Sequence, residues 1–246
     1  VATAFALGVV EPNASGLGQY VYKDRGAIDR SDFAGPMATL LVPEAQLYTS
    51  TDGGSTWTET WRDVGGGFPA LARVPGTIVA LGDGGDLLTS VNGIDWVEPG
   101  SGCSSAACAD GFADLTATED GLVAAGGVGL CDEGKRLGGG TIGERLENSP
   151  WEVAAVDIDR IRGVAFGGAV YAAVGEVWAA SSADGREWEV HDVPTVWPLN
   201  SVAWGNGTFV AVGDEGALLT SADGEEWVDQ WSTTAADLER VAWDGE

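Results

Sequence analysis

Short apolar runs alternate with glycine-rich turns along most of the chain. From Leu199 to Trp231 the sequence reads LNSVAWGNG, TFVAVGDEG, ALLTSADG and EEWVDQW. Apolar runs of about four to eight residues, each bounded by Gly, Asn or Asp, are typical of β-strands joined by tight turns. This segment is therefore predicted to form four short strands in succession.

The same arrangement recurs along the chain, which indicates a structural repeat. The copies cover residues 28–62, 68–98, 112–153, 161–190 and 199–231. A tryptophan near the end of each copy marks the period, at Trp57, Trp96, Trp151, Trp188 and Trp227. These tryptophans are 39, 55, 37 and 39 residues apart, and the longest interval contains an insertion.

The two ends of the sequence hold complementary parts of one more repeat. Residues 238–246 match the first strand of the repeat, and residues 1–24 match the remainder, with Tyr22 at the tryptophan position. Joining the two segments would complete a sixth unit and leave no free sheet edge. We therefore predict one all-β domain over residues 1–246, a closed β-propeller of six four-stranded blades whose last blade is completed by both termini.

A shorter motif follows the third strand of several repeats. It reads STDGGSTW at Ser50–Trp57 and SADGEEW at Ser221–Trp227, with close variants at Ser182–Trp188 and at Ser90–Trp96, where Asn92 replaces Asp. The motif resembles the Asp box, or BNR repeat, of sialidases and other propellers. An Asp or Asn can accept backbone N–H bonds in its own turn, and Gly permits a positive φ. Because the Trp can pack between neighbouring sheets, we interpret the motif as structural.

The charge of the chain narrows the possible partners. Twelve Lys and Arg stand against 38 Asp and Glu, a formal net charge of −26. Such a surface repels phosphate backbones, so nucleic-acid binding and anionic membranes are disfavoured. No apolar run approaches the roughly 18 residues of a transmembrane segment. An acidic coat suits an extracellular, periplasmic or cell-surface protein, which is the location we expect.

Residues for catalysis are not evident in the sequence. Sialidases use an arginine triad, a tyrosine nucleophile and an Arg-Ile-Pro segment, whereas the nearest string, Arg73–Pro75, falls in a turn between strands. A single His and three Cys without zinc spacing predict no metal site, and no cofactor motif is present. The alternative is a glycoside hydrolase or lyase of sialidase-like architecture, with paired carboxylates about 5 to 9.5 Å apart across the central funnel.

Three cysteines lie near the insertion. Cys131 is predicted to pair with Cys103 or with Cys108, because the repeat places all three on one face. A bridge between Cys103 and Cys108 is the competing pairing, since the two are close in sequence. Any such disulfide would imply an oxidising compartment.

Nine of the twelve basic residues fall on one face in the frame of the repeat. Three arginines lie near the start of innermost strands, where the funnel of a propeller opens, and the other candidates lie in loops of that face. The predicted ligand-binding residues are Arg30, Arg162, Arg240, Arg25, Arg160, His191 and Trp197. The alternative is that carboxylates adjacent in sequence, such as Glu239 beside Arg240, pair with these arginines and give them a structural role.

These features predict a non-catalytic binding or scaffold propeller, secreted or on the cell surface, that recognises a partner protein or an acidic glycan through its arginine-bearing face. The arginine-bearing face also resembles that of Ycf48-like propellers, which are assembly factors and usually have seven blades. A structural subunit of a larger surface assembly is the third alternative.

Overall fold

The structure, a computed structural model, describes residues 38–42, 46–50, 56, 58–62, 70–74, 77–82, 87–98, 112–118, 121–126, 140–145, 152–156 and 160–243. These residues form antiparallel strands, and the only helical element among them is a 3-10 turn at Asp214–Gly216. The described part of the chain is therefore all-β. No helix in it is long and apolar enough to cross a membrane.

The strands that the structure describes form five separate antiparallel sheets, and within each sheet every described strand pairs with its neighbour in sequence. The first two sheets have three strands each, β1 (Ala38–Val42), β2 (Gln46–Ser50) and β3 (Thr58–Arg62), then β4 (Ala70–Val74), β5 (Thr77–Leu81) and β6 (Leu87–Ser90). The third has four strands, β7 (Phe112–Ala117), β8 (Leu122–Gly126), β9 (Gly140–Arg145) and β10 (Glu152–Val156). The fourth has β11 (Ile161–Gly167), β12 (Val170–Gly175), β13 (Trp178–Ser182) and β14 (Glu189–Asp192). The fifth has β15 (Leu199–Gly205), β16 (Thr208–Gly213), β17 (Leu218–Ser221) and β18 (Val228–Asp229).

In the second to fifth sheets, the second strand is buried on both of its faces. In β5, Ile78 and Ala80 pack toward the first sheet, whereas Val79 and Leu81 pack toward the third. Because successive side chains of a strand point to opposite faces, an uninterrupted apolar run is what a strand between two other sheets requires. The sheets therefore stack face to face, and the core consists of layers between them.

Each apolar layer joins two consecutive sheets. The largest layer brings Val174 and Ala179 of the fourth sheet against Phe209, Leu219 and Trp227 of the fifth. Equivalent layers join the first sheet to the second, the second to the third and the third to the fourth. A last layer packs Leu238 and Val241 against the fifth sheet. This arrangement continues past the fifth sheet into residues 238–241.

The first strands of the second to fifth sheets contact one another in sequence order, β4 with β7, β7 with β11, and β11 with β15. Close packing between them requires glycine at one position. The Trp204 indole lies directly over Gly167, and the Trp243 indole lies over Gly205 in the same way, so that a Cβ at either glycine would overlap a ring. Trp243 thus repeats, one step further along the chain, the packing of Trp204.

Some elements differ from the predicted four-stranded repeat. In the second sheet the fourth strand is reduced to one bridge, in which the backbone N–H groups of Thr89 and Val97 donate to each other's carbonyls at 2.9 Å. Residues 238–243, predicted as an inner strand, carry no strand hydrogen-bond pattern. The predicted partner of that strand, residues 2–8, lies outside the described residues, as do Cys103, Cys108 and Cys131. The six-blade division and the cysteine pairing stay predictions.

Candidate functional site

Three described turns, each following the third strand of a sheet, share one set of hydrogen bonds. In the turn 221–227, Asp223 Oδ1 accepts the backbone N–H groups of Glu225 and Glu226 at 2.9 and 3.0 Å. The Trp227 indole N–H donates to the Gly224 carbonyl at 3.0 Å, and Gly224 has a φ of 81°. The turn chemistry predicted from the sequence is confirmed here, and it recurs at residues 182–188 and at 90–96, with Asn92 as the acceptor.

These hydrogen bonds also account for the ionisation of the turn aspartates. The backbone N–H of Glu187, followed by that of Arg186, holds the pKa of Asp184 below its usual value. The N–H groups of Glu226 and Glu225 lower the pKa of Asp223 for the same reason. One oxygen of each carboxylate is thus engaged by the backbone of its own turn, which supports a structural role for these aspartates. We therefore place the binding site on the opposite face.

The opposite face is formed by two kinds of loop, those between the second and third strands of a sheet and those that join one sheet to the next. We call it the loop face; its described segments in the last two sheets are residues 176–177, 193–198, 214–217 and 230–237. Arg160, at the start of the fourth sheet, is exposed on the same side.

Arg162 lies on this face within a polar network. Its guanidinium donates to Glu176 Oε1 at 2.7 Å and to Asn200 Oδ1 at 2.6 Å. Asn200 in turn donates to Asp214 Oδ1 at 2.7 Å. Arg162 and Asn200 hold equivalent positions in β11 and β15, so the network links two sheets through the second residue of each first strand. It also occupies two of the guanidinium nitrogens.

Arg240 reaches a distant part of the chain. Its guanidinium lies 3.4 Å from Asp114 Oδ1 and 3.4 Å from the Ala113 carbonyl, both in β7. The other Asp114 oxygen accepts the Val164 backbone N–H at 3.0 Å. Asp114 therefore joins three segments of the chain. The carboxylate that pairs with Arg240 is Asp114, whereas the sequence suggested the adjacent Glu239.

The remaining predicted site residues divide into three groups. Arg25 and Arg30 lie outside the described residues. His191 was expected in a loop and instead lies in strand β14, opposite Ala179, and its Nε2 is 2.8 Å from Ser181 Oγ. The chain after Trp188 continues as strand β14 up to Asp192, so His191 is a strand residue and not a loop residue. Trp197 is on the loop face and is 46% exposed.

Trp197 lines an open groove on the loop face, about 630 Å³ in volume. The groove runs between the loop 193–197, the turn 215–217 and the segment 229–234. Two of its most exposed side chains are Val196 at 79% and Trp231 at 93%. Two exposed tryptophans in the lining of one groove are unusual on a protein surface, so we take this groove as the candidate binding site.

Backbone hydrogen bonds fix the walls of the groove. Asp214 N–H donates to the Pro198 carbonyl at 2.9 Å, which ties the turn to the loop that carries Trp197. Glu215, in the left-handed region with a φ of 52°, donates its N–H to Asp237 Oδ1 at 3.0 Å. Gly216 packs so closely on the Thr234 carbonyl that a Cβ would overlap it. The groove is therefore formed before any ligand arrives, which lowers the entropic cost of binding.

Sequence reasoning missed several of these residues. Trp231 was assigned only to the last strand, although Trp227 already fills the tryptophan position of that repeat and leaves Trp231 without a structural role. Asp114 offered a similar signal, because other repeats place small residues, Gly163 and Ser201, at its position. Within the described part of the chain, no group of three or more His, Cys, Asp or Glu side chains could hold a metal ion.

Comparison with solved structures identifies the architecture. The chain is similar to YCF48 bound to D1 peptide, at 15% identity over 85% of this chain and 77% of that one, with a TM-score of 0.54. It is also similar to a chain of the nidogen/laminin complex, at 9% identity over 87% and 83% of the two chains, with a TM-score of 0.58. The fold is that of a β-propeller.

A third similar structure is YCF48 from Cyanidioschyzon merolae, at 14% identity over 82% of this propeller and 69% of that chain, with a TM-score of 0.56. At these identities the likeness concerns the fold. No protein-family model matches the sequence, and no curated protein matches it significantly.

Proposed function

We propose that this chain is a non-catalytic binding propeller that recognises a partner protein through its loop face. The observation that carries the proposal is the open groove with Trp197 and Trp231 in its lining. Tryptophan is enriched among the residues that dominate the energy of protein interfaces, because it buries a large apolar area with few rotatable bonds. Two similar propellers were solved with a peptide or a protein partner, which supports the same use of this fold.

The arginines of the loop face have a secondary place in this proposal. Arg162 and Arg240 already contact carboxylates, so an acidic ligand would have to displace Glu176 or Asp114. Arg160 is exposed, and a partner could contact it without displacing a carboxylate. An acidic glycan is the alternative ligand of this face, and it would use the arginines before the tryptophans.

We also propose that the chain forms a closed ring of six blades and that the protein is secreted or lies on the cell surface. A closed six-bladed propeller is supported by the packing of Leu238, Val241 and Trp243 on the fifth sheet, where the first strand of a further blade would lie. A secreted or cell-surface location is supported by the net charge of −26.

Capture of partners by the immobilised 246-residue chain tests the function. Proteins from the source organism that bind the wild type would be quantified by mass spectrometry and compared with those bound by Trp197→Ala/Trp231→Ala. We expect the specific partner to be lost from this double variant. Val91→Ala changes an apolar residue that is 76% exposed in a turn of the opposite face; it is the control and should retain the partner.

Two results would contradict the proposal. One is a partner captured equally well by the wild type and by the double tryptophan variant. The other is hydrolysis of a chromogenic glycoside with a specific activity that is retained when the protein is purified to homogeneity. That result would favour the glycoside hydrolase alternative.

A further inference from the structure

We propose that the groove lined by Trp197 and Trp231 binds a basic peptide segment, with an arginine or lysine side chain of the partner placed against the indoles. This inference rests on the proposed function, because it names the chemistry of the segment that docks there. It differs from the arginine-based expectation, which called for an acidic ligand.

The aromatic lining supplies the first part of the recognition. Trp231 and Trp197 are 93% and 46% exposed, so a ligand in the groove can reach both side chains. The face of an indole carries a negative quadrupole, and tryptophan is the aromatic residue that attracts cations most strongly. A guanidinium also stacks flat on such a ring while its edges keep their hydrogen bonds to water.

The charges of the groove supply the second part. Its lining contains two carboxylates, Glu215 and Asp229, and no Lys, Arg or His. In the described part of the chain neither carboxylate has an ion-pair partner. Asp237, which accepts the Glu215 N–H, adds another acidic group close to the same wall. A cationic side chain would therefore meet aromatic faces and unpaired negative charge in one place.

The charge of the whole chain acts in the same direction. A formal charge of −26 attracts basic segments at long range and repels acidic ones. The volume of about 630 Å³ lies within the range of sites for small ligands and short peptide segments. The net charge of the chain and the two carboxylates in the groove both disfavour an acidic peptide. A basic segment is the occupant that these charges favour.

Titration with short peptides tests this chemistry directly. The probe is the acetylated and amidated pentapeptide Gly-Arg-Gly-Arg-Gly, compared with its Gln and Glu counterparts. The readout is the shift of the indole N–H resonances of Trp197 and Trp231 in ¹⁵N-labelled protein, assigned through Trp→Phe variants. We expect the Arg peptide to shift both resonances, the Gln peptide to bind at least about fivefold more weakly and the Glu peptide not to bind.

Two pairs of charge variants locate the effect. Glu215→Gln/Asp229→Asn removes two negative charges from the groove and should weaken the Arg peptide about threefold or more. Glu225→Gln/Glu226→Gln removes the same charge from an exposed turn of the opposite face and should leave the affinity nearly unchanged. Raising the salt to 0.5 M, at which screening acts within about 4 Å, should weaken binding by the wild type.

Each contrary result has a distinct meaning. Equal binding of the Arg and Gln peptides would refute the cationic preference, and so would shifts caused by neutral cellohexaose but not by the Arg peptide. Binding that survives Trp231→Ala and weakens equally in both charge pairs would reflect only the diffuse acidic field, and would refute the groove as the site. In all three cases the proposed function stands if partner capture still depends on the tryptophans. Loss of that dependence, with peptide binding intact, would refute the proposed function alone.

Discussion

Two tryptophans four residues apart offer a matched test of the packing between sheets. Trp227 is 7% exposed and lies between the fourth and fifth sheets, in contact with the layer that contains Phe209 and Leu219. Trp231 is 93% exposed. The same substitution, Trp→Ala, therefore removes a buried anchor in one case and a solvent-facing side chain in the other.

The expected loss at Trp227 follows from its burial. An indole that buries about 150–250 Å² contributes at most roughly 4–6 kcal/mol by transfer from water, and buried Trp→Ala changes cost about 3–5 kcal/mol in practice. We expect about 4 kcal/mol for Trp227→Ala. At roughly 2–4 °C per kcal/mol for a chain of this size, Tm should fall by about 8–16 °C. Trp231→Ala should change the free energy of unfolding by no more than about 0.5 kcal/mol.

Thermal melts and urea unfolding, followed by circular dichroism, measure both values. Trp227→Phe serves where the alanine variant does not fold; it keeps an aromatic ring but loses the 3.0 Å hydrogen bond to the Gly224 carbonyl, so about 1–2 kcal/mol should be lost. A Trp227→Ala variant that melts within about 2 °C of the wild type would refute the assignment of this residue as an anchor. An equally large loss in Trp231→Ala would refute the distinction between the two positions.

Two further predictions concern ionised groups. The pKa of Asp223 is lowered chiefly by the N–H of Glu226, so its contribution to stability is complete above the ordinary carboxyl pKa of about 3.9 and is lost as the pH falls through the lower folded value. The difference in urea-unfolding free energy between wild type and Asp223→Asn should therefore shrink below pH 4, and a difference that stays constant from pH 6 to pH 2.5 would contradict this. For the pair of Arg240 and Asp114, whose side chains are 26% and 15% exposed, a double-mutant cycle with Arg240→Met and Asp114→Asn should give a coupling energy of about 0.5–1.5 kcal/mol. Additive effects in that cycle would show that the contact does not contribute to stability.

The turns and the strands could be predicted from sequence because their determinants are local. Asp223, Gly224 and Trp227 lie within one turn, and the donor, the acceptor and the positive φ are all specified within seven residues. The doubly buried second strands were visible for the same reason, as uninterrupted apolar runs such as TFVAVG. The periodic tryptophans then marked the length of each repeat.

The loop face could not be predicted at the same level, because its contacts join residues far apart in sequence. Arg162 and Asn200 are 38 residues apart, and no local pattern distinguishes their hydrogen bond from the pairing of each with a nearby acid. His191 was misplaced because a short fourth strand and a loop carry the same polar composition. Trp231 was visible only as a tryptophan outside the period of the repeat.

The contact of Arg240 with β7 has a consequence for the order of folding. Most backbone pairing is between strands adjacent in sequence, which gives each sheet a low contact order and lets it form early. Arg240 and Ala113 are 127 positions apart, so their contact closes a very long loop that the early sheets do not bring together. We therefore expect it to form after the sheets have stacked, with little presence in the transition state. Substitutions at Arg240 should then accelerate unfolding while leaving the refolding rate almost unchanged, so that this contact acts as a kinetic latch on described sheets that are each built from local hairpins.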